Sequence, residues 1–480
     1  MKLKKIIFLL LAAVLLSSAV MPLCVSAEDG KVTVTVGGEI KSFANLADGW
    51  RYAVKEAAGK TDVVFRMNAD WHAESGSRGF GSGDGFRYGA LYCATANYLT
   101  LDLNGHTLHR HLTSDTSDGS AIYVTGKLNI TDSVGTGTIT GGYNDDAGGA
   151  IVLAGSGKVS ITGCSIINCK SDDEGGAIYM SNASNYLTID GTVFSGNYGD
   201  DEGGAIFMND GTVEIKNAVF KNNKTGETGG AIHIDEGHFR VYDTVFEGNV
   251  SDGDGGGVYI DTNSYSELER CSFISNRSDD DSGGGLYVNS SEGTYITDCV
   301  FTGNSCDQYG GGLCVNGHRV FVIGGEYRNN KAADNGGGIY LDSYYDLNLA
   351  GKLIVKDNKK GTAQNDLCLQ HGYTSTAYLY CGGLDQGSEI WLCATDRDNE
   401  IAIKKIDRYQ YQSYFRFDSG FTVGKIEDVK ATSGKVRAEG SAIGHGKRAV
   451  VVLMSLGIAA AFTAVYIIRK KGAKKDVSSD

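Results

Sequence analysis

The phrase that decides the fold is Gly-Gly-Ala-Ile-Tyr-Met at Gly175–Met180. It returns as Gly-Gly-Ala-Ile-Phe-Met at Gly203–Met208 and as Gly-Gly-Ala-Ile-His-Ile at Gly229–Ile234. Variants begin at Gly148, Gly255, Gly283, Gly310 and Gly336, and a degenerate copy at Gly119. A second phrase, Phe-x-x-Asn, follows in each unit: Phe194/Asn197, Phe220/Asn223, Phe246/Asn249, Phe273/Asn276 and Phe301/Asn304. Tyr327/Asn330 is a near copy and Ile166/Cys169 a degenerate one. A repeat of about 27 residues falls in the range that marks a solenoid, and it outranks every other signal in the chain.

The Gly pair opens a short strand in which alternate residues face opposite sides. The second position is always aliphatic, from Ile122 through Ile178, Ile206 and Ile232 to Ile339, and the fourth is Val, Leu, Met or Ile. Both point inward. A second strand follows, as in Tyr186-Leu187-Thr188-Ile189, and a third carries the Phe. β-branched residues and Gly dominate, and no unit holds a helical pattern, so a helical solenoid is excluded. Three short strands per unit describe one coil of a right-handed parallel β-helix, an all-β solenoid. With coils ~4.8 Å apart, nine units make a rod of about 40 Å. Stacked Phe rings then fill the core, stacked Asn side chains exchange amide hydrogen bonds, and the Gly pair permits close coil approach. These are structural roles, and the Gly pair has no strand–loop–helix context that would make it a phosphate loop.

The 480 residues include 68 Gly and a single Pro, Pro22. Residues 1–27 read as a secretory signal: Lys2, Lys4 and Lys5, an apolar run, then Val25-Ser26-Ala27. Residues 28–118 are an N-terminal cap and first coils, with an initial strand over 28–40. An amphipathic helix over 42–58 (Phe43, Leu46, Trp50, Ala53, Val54, Ala57) covers the open end of the solenoid. Gly76–Gly89 reads as a surface loop. Regular repeats occupy 119–358, C-terminal coils or a β cap 359–424, and a polar stalk 425–448. Residues 449–468 carry no charge and are long enough to cross a bilayer, and the basic tail 469–480 keeps that end cytoplasmic. The expectation is a single-pass cell-membrane protein with an extracellular solenoid.

The signal and the tail each carry a net +3, so the overall −14 leaves −20 on the exported part. That charge repels nucleic acid and invites cations. Ten cysteines remain outside the signal, with no Cys-x-x-Cys pair, so no zinc ribbon is supported. Cys164, Cys271 and Cys299 share one repeat offset; the last two stack on adjacent coils, as a reduced pair or within reach of a bridge.

Gly-Gly-Ala-Ile paired with Phe-x-x-Asn resembles the repeats of chlamydial polymorphic outer-membrane proteins, which are β-helical surface adhesins. More broadly the chain resembles pectate-lyase-like right-handed β-helix proteins, and Leu101–Leu108 (Leu-Asp-Leu-Asn-Gly-His-Thr-Leu) is similar to a first coil of that group. The resemblance implies the fold and a surface location. It is weak for ligand, because the fold hosts lyases, hydrolases and adhesins alike. The single C-terminal helix departs from the outer-membrane β-barrel of the chlamydial proteins.

Two outward rows are candidates for function. The third position of the Gly-Gly phrase reads Tyr179, Phe207, Tyr259, Tyr287 and Tyr340 among its members, an exposed aromatic ladder suited to sugar rings; the plain alternative is ring stacking that stabilises the sheet. Two residues on, Asp235 and Asp261 fall on adjacent coils beside His233, where paired carboxylates and an imidazole suit acid–base chemistry. Asp and Asn also favour strand ends, and the Asn-Thr-Asp and Arg-Ile-Lys segments of β-helix hydrolases do not appear, so the residues lean against an enzyme. Ahead of the Gly pairs lie acidic turns, with Asp172, Asp173, Asp200, Asp201, Asp279 and Asp280. Oxygen ligands in a row suit Ca²⁺; solvated turns are the plain alternative. The expectation is therefore a membrane-anchored, adhesin-like module binding glycan or a cell-surface polymer. A polysaccharide lyase or hydrolase and a passive stalk are the alternatives.

Overall fold

The computed structural model describes residues 30–73, 79–87, 89–116, 119–342, 344–370, 378–394, 402–405, 414–417 and 427–428. The expected signal, transmembrane helix and cytoplasmic tail lie outside these residues. Among the described residues no helix is long and apolar enough to cross a membrane.

The chain is a parallel β-solenoid of about 11 turns. One coil contains Ile151–Leu153, Lys158–Thr162, Ser165–Ile167 and the two-residue strand Lys170–Ser171. Each strand pairs in parallel, in register, with its counterpart one coil on: Ile151 with Ile178, Ile161 with Ile189, Ile166 with Phe194, Ser171 with Gly199. The fourth, two-residue strand was absent from the expected three-strand coil; it forms a ten-stranded sheet of its own. In four coils the first two strands merge, as in Ile178–Asp190, with a register irregularity where the chain bends.

The inward positions are buried throughout: Ile122, Ile151, Ile178, Ile206, Ile232, Val258, Leu286, Leu313 and Ile339 are all fully buried. The Phe column stacks as expected, with Phe273 and Phe301 at 4.5 Å and nearly parallel, and Tyr327 continuing the row at 4.6 Å. The Asn column is a hydrogen-bonded ladder. Asn223 Nδ2 donates to Asn249 Oδ1 (3.0 Å), Asn249 to Asn276 (2.9 Å), Asn276 to Asn304 (3.0 Å), and so on to Asn358. Each amide also donates to a Phe or Tyr carbonyl of the preceding coil, as Asn249 does to Phe220 at 3.0 Å. The ladder ends on Asp366, whose carboxylate accepts from Asn358 at 2.7 Å and, having no donor, passes nothing further.

The Gly pair adopts the geometry its repetition demands. Gly229 has φ +72°, and a Cβ on Gly230 would lie 2.1 Å from the Gly256 carbonyl oxygen of the next coil.

Antiparallel pairing is confined to the ends. The expected first strand is a hairpin, Val32–Val36 with Glu39–Phe43, turned by Gly37 and Gly38 at φ +57° and +87°. Val32–Val36 also pairs with Val63–Met67, which joins the solenoid in parallel at Tyr98–Asp102. The helix Leu46–Ala57, capped by Asn45, buries Leu46, Trp50, Ala53 and Ala57 over the open end of the core. That burial shields the terminal coil from water and from pairing with another chain. At the far end Leu367–Leu369, Tyr378–Leu384, Glu389–Ala394 and Phe415–Phe417 continue the parallel ladders. Glu427–Asp428, inside the stretch read as a stalk, pairs with Lys404–Lys405.

Candidate functional site

The third-position row is in register from Tyr92 and Tyr123 through Val152, Tyr179, Phe207, His233, Tyr259, Tyr287, Cys314 and Tyr340 to Cys368 and Cys393. Its rings stack: Tyr179 on Phe207 at 5.7 Å, His233 on Tyr259 at 4.7 Å, Tyr259 on Tyr287 at 5.2 Å. The row points away from the central core, but it is not the exposed ladder expected. Phe207, Tyr287 and Tyr340 are buried, and Tyr179 and Tyr259 half-buried. The physical reason lies in the turn that bears the Gly pair. It folds back over the row, so that a Cβ on Gly283 would sit 2.8 Å from the Tyr287 Cβ. Tyr309, from the matching turn one coil on, stacks on Tyr340 at 4.5 Å, while Asn316 donates to the Tyr287 hydroxyl at 2.8 Å. Tyr287, Cys314, Tyr340, Cys368 and Cys393 form a second apolar cluster, separate from the core.

His233, Asp235 and Asp261 share this neighbourhood without forming an acid–base pair. His233 is buried between Phe207 and Tyr259, and its Nδ1 lies 2.7 Å from the Thr228 hydroxyl. Burial pushes its pKa down to about 3, so the imidazole is neutral at pH 7. Asp261 accepts from Asn289 at 2.7 Å, and Asp235 has its pKa raised, by burial first and then by the charge of Asp261. A residue that sequence reasoning passed over stands closer. Glu202 lies 3.9 Å from His233, and burial, followed by the charge of Glu227, lifts it to about 7.

The six acidic-turn candidates do not line up as one cation column. Asp279 is paired with Arg277 (2.6 Å), and Asp200 accepts from the Tyr198 hydroxyl. Lys224 reaches Asp252 of the neighbouring turn at 3.2 Å. Of the six, only Asp173 joins a group of three close carboxylates, with Asp146 and Glu174. Burial raises the pKa of Asp173 and of Glu174.

The outward face of the second strands is half-buried over most of its length. One register row runs Thr188, Glu214, Arg240, Glu267, Tyr295, Phe321. Tyr186, Tyr242 and Tyr265 flank it, half-buried like Glu214, Arg240, Glu267 and Phe321, while Tyr295 is buried. Arg240 bonds Glu214 at 3.1 Å, and Glu267 accepts from Tyr265 at 2.6 Å and from Tyr242 at 3.1 Å. Tyr295 and Phe321 stack at 4.7 Å. This is a flat strip of rings with fixed carboxylates between them. Its signal in the sequence was the aromatic content of the second strands, whose outward residues went unweighed.

At the N-terminal end three histidines converge. His72 on Trp71–His72 is the register partner of His109 on Thr107–His109. His111 follows at φ +61°, and its amide donates to His109 Nδ1 at 2.8 Å. One ligating nitrogen from each of the three lies within 4.8 Å of the others. His72 and His111 are exposed and His109 half-buried. Burial lowers the pKa of His109, aided by the charges of His111 and His72. His72 also lines a cleft of about 1130 Å³ with Arg51, Asp70, Trp71, Phe80 and Phe86. The His-x-x-His-x-His spacing at 106–111 was legible; the approach of His72 was not.

Fold and surface together define a parallel β-solenoid with lateral polar and aromatic rows. Within it, residues 114–324 match a protein-family model described as periplasmic copper-binding protein (NosD). No curated protein and no solved structure matches the chain.

Proposed function

We propose that this protein is an exported, membrane-anchored β-solenoid that acts as a surface binding module, with an extended glycan-type polymer as ligand. The observation that carries the reading is the second-strand face. Tyr265 and Phe321, with the buried Tyr295 between them, offer ring area for apolar sugar faces, while Glu214 and Glu267, held by Arg240 and the Tyr hydroxyls, offer acceptors for sugar hydroxyls. In-register coils repeat every ~4.8 Å, so a polymer can engage several at once, each contact weak. The covered third-position row serves this reading as support for the sheet. Binding of the full-length protein to a glycan and mucin array tests it. Capture of a polymer that Tyr265→Ala together with Phe321→Ala abolishes is the expected result; no capture, or capture untouched by that double change, refutes it.

The family description favours a second reading, that the chain binds copper outside the cytoplasm. Inside the matched segment the donors are a poor fit. Cys164, Cys169, Cys271, Cys299, Cys306 and Cys314 are buried, and burial lifts the thiols of Cys164, Cys169 and Cys306 to about 12. The donors that do fit are the imidazoles of His72, His109 and His111, just ahead of that segment. Copper titration of the full-length protein tests this reading; the absence of any bound copper ends it.

A further inference from the structure

We infer that His72, His109 and His111 form a site for a borderline divalent transition metal, Cu²⁺ or Zn²⁺, on the first coils of the solenoid. The inference deepens the copper reading by giving it a place, and it rests on the cluster itself.

Spacing is the first argument. Metal–imidazole bonds of about 2.0–2.1 Å place ligand nitrogens roughly 3.4 Å apart around a tetrahedral ion. The three nitrogens already lie within 4.8 Å of one another, with ring centroids at 4.9, 5.7 and 6.4 Å. Small side-chain rotations close that gap, and two of the three rings are exposed and free to make them.

Backbone order is the second argument. His72 and His109 sit side by side on adjacent coils as register partners, and Ala73 N donates to His109 O at 2.9 Å. The segment that carries His111 is held by Arg110 N to Thr140 O and Leu112 N to Gly141 O, both 2.9 Å. The buried Arg110 guanidinium fixes it further, with Nε donating to Ser120 O at 3.0 Å. Gly141, at φ +71°, makes room for the cluster, since a Cβ there would stand 2.4 Å from His109 Cε1 and 3.1 Å from the His111 amide.

Donor chemistry selects the metal. Imidazole suits Cu²⁺ and Zn²⁺, whereas Ca²⁺ and Mg²⁺ take oxygen. Three protein ligands leave a position for water or for an outside ligand. The metal displaces the His111 amide from His109 Nδ1, or binds Nε2 once the ring proton has moved to Nδ1; either way that hydrogen bond is given up.

The test titrates untagged full-length protein with Cu²⁺ and, separately, with Zn²⁺ by calorimetry, and records the Cu²⁺ electron paramagnetic resonance spectrum. The expected result is one equivalent per chain, imidazole nitrogen coupling in the spectrum, and at least a tenfold weaker affinity in His72→Gln and in His111→Gln. Those two side chains are exposed, so the variants retain the coil; circular dichroism confirms it, and the pair decides the matter if His109→Gln misfolds. Unchanged affinity and coupling in the His72→Gln/His111→Gln double variant overturn this site while leaving a copper-binding chain. No binding of either metal by the wild-type protein overturns both.

Discussion

Replacing Asn249 with Ala tests the reading of the polar ladder. Asn249 is fully buried. Its Oδ1 accepts from Asn223 N and Asn223 Nδ2, both at 3.0 Å, and its Nδ2 donates to Phe220 O at 3.0 Å and to Asn276 Oδ1 at 2.9 Å. The Ala variant strips two donors of Asn223 of their partner and takes one donor from the Phe220 carbonyl, inside a buried column. Each of the two orphaned Asn223 donors costs about 1–3 kcal/mol, so a loss of about 2–6 kcal/mol is expected. Asn249→Asp keeps the acceptors but sets a charge against the Phe220 carbonyl and the Asn276 oxygen, and should cost at least as much. Asp366→Asn, by contrast, should change stability by about 1 kcal/mol or less, because Asn358 needs only an acceptor there and the exposed Gln364 amide, which donates to the other oxygen at 2.8 Å, can turn over. Urea unfolding followed by circular dichroism gives the magnitudes. Hydrogen exchange at the Asn223 amide shows whether the loss is local, as a one-dimensional array allows. A cost below about 1 kcal/mol at Asn249, with Asn223 still protected, would mean that water replaces the side chain and that the ladder is incidental.

Three further outcomes follow from the same geometry. Gly230→Ala drives a Cβ against the Gly256 carbonyl at 2.1 Å and should cost about 3 kcal/mol or more, since backbone on two coils must move. Gly191→Ala, at φ +60° in open space, should cost only about 1 kcal/mol, and equal losses in urea melts would refute the close-approach argument. Stability should rise as pH falls through 7: folded Glu202 and Asp254, both raised to about 7, hold protons that the unfolded chain releases above its ordinary values of 4.5 and 3.8. His233 opposes this, because the unfolded imidazole gains a proton below 6.5 that the folded one, at about 3, refuses; two carboxyls against one imidazole place the highest melting temperature nearer pH 5–6 than pH 8. Glu202→Gln should raise the pH 8 melting temperature and flatten the profile, and an unchanged profile would refute the assignment. Finally, Phe246→Ala opens a gap between rings stacked at 5.2 and 4.7 Å and should cost about 3–5 kcal/mol in the same urea assay, a smaller loss meaning that the column collapses to fill it.

Most of the rod was legible because its determinants repeat. An inward Ile, a core Phe and a ladder Asn each recur at one offset, and in-register stacking makes equal offsets into neighbours. The same logic identified the third-position aromatics as a row and their direction as away from the core. It failed on exposure, because whether Phe207 or Tyr287 meets water depends on how the Gly-pair turn folds over it, and φ angles near +70° at Gly203 and Gly283 are what turn the chain back. In the acidic turns the repeat showed the carboxylates but not the basic side chains, Arg277 and Lys224, that reach Asp279 and Asp252.

The sequence by itself determined the coil, its inward faces, the two internal columns and the need for a terminal cap, since all of these are periodic or set by composition. Tertiary structure alone decided which outward faces are open and which side chains outside the period meet. On the second strands Tyr265 and Phe321 stay half-exposed while Tyr295 between them is buried. His72 reaches His109 and His111 because Trp71–His72 pairs in register with Leu108 and His109 of the next coil. Contact between residues of unequal spacing is a property of the closed coil, and no local pattern encodes it.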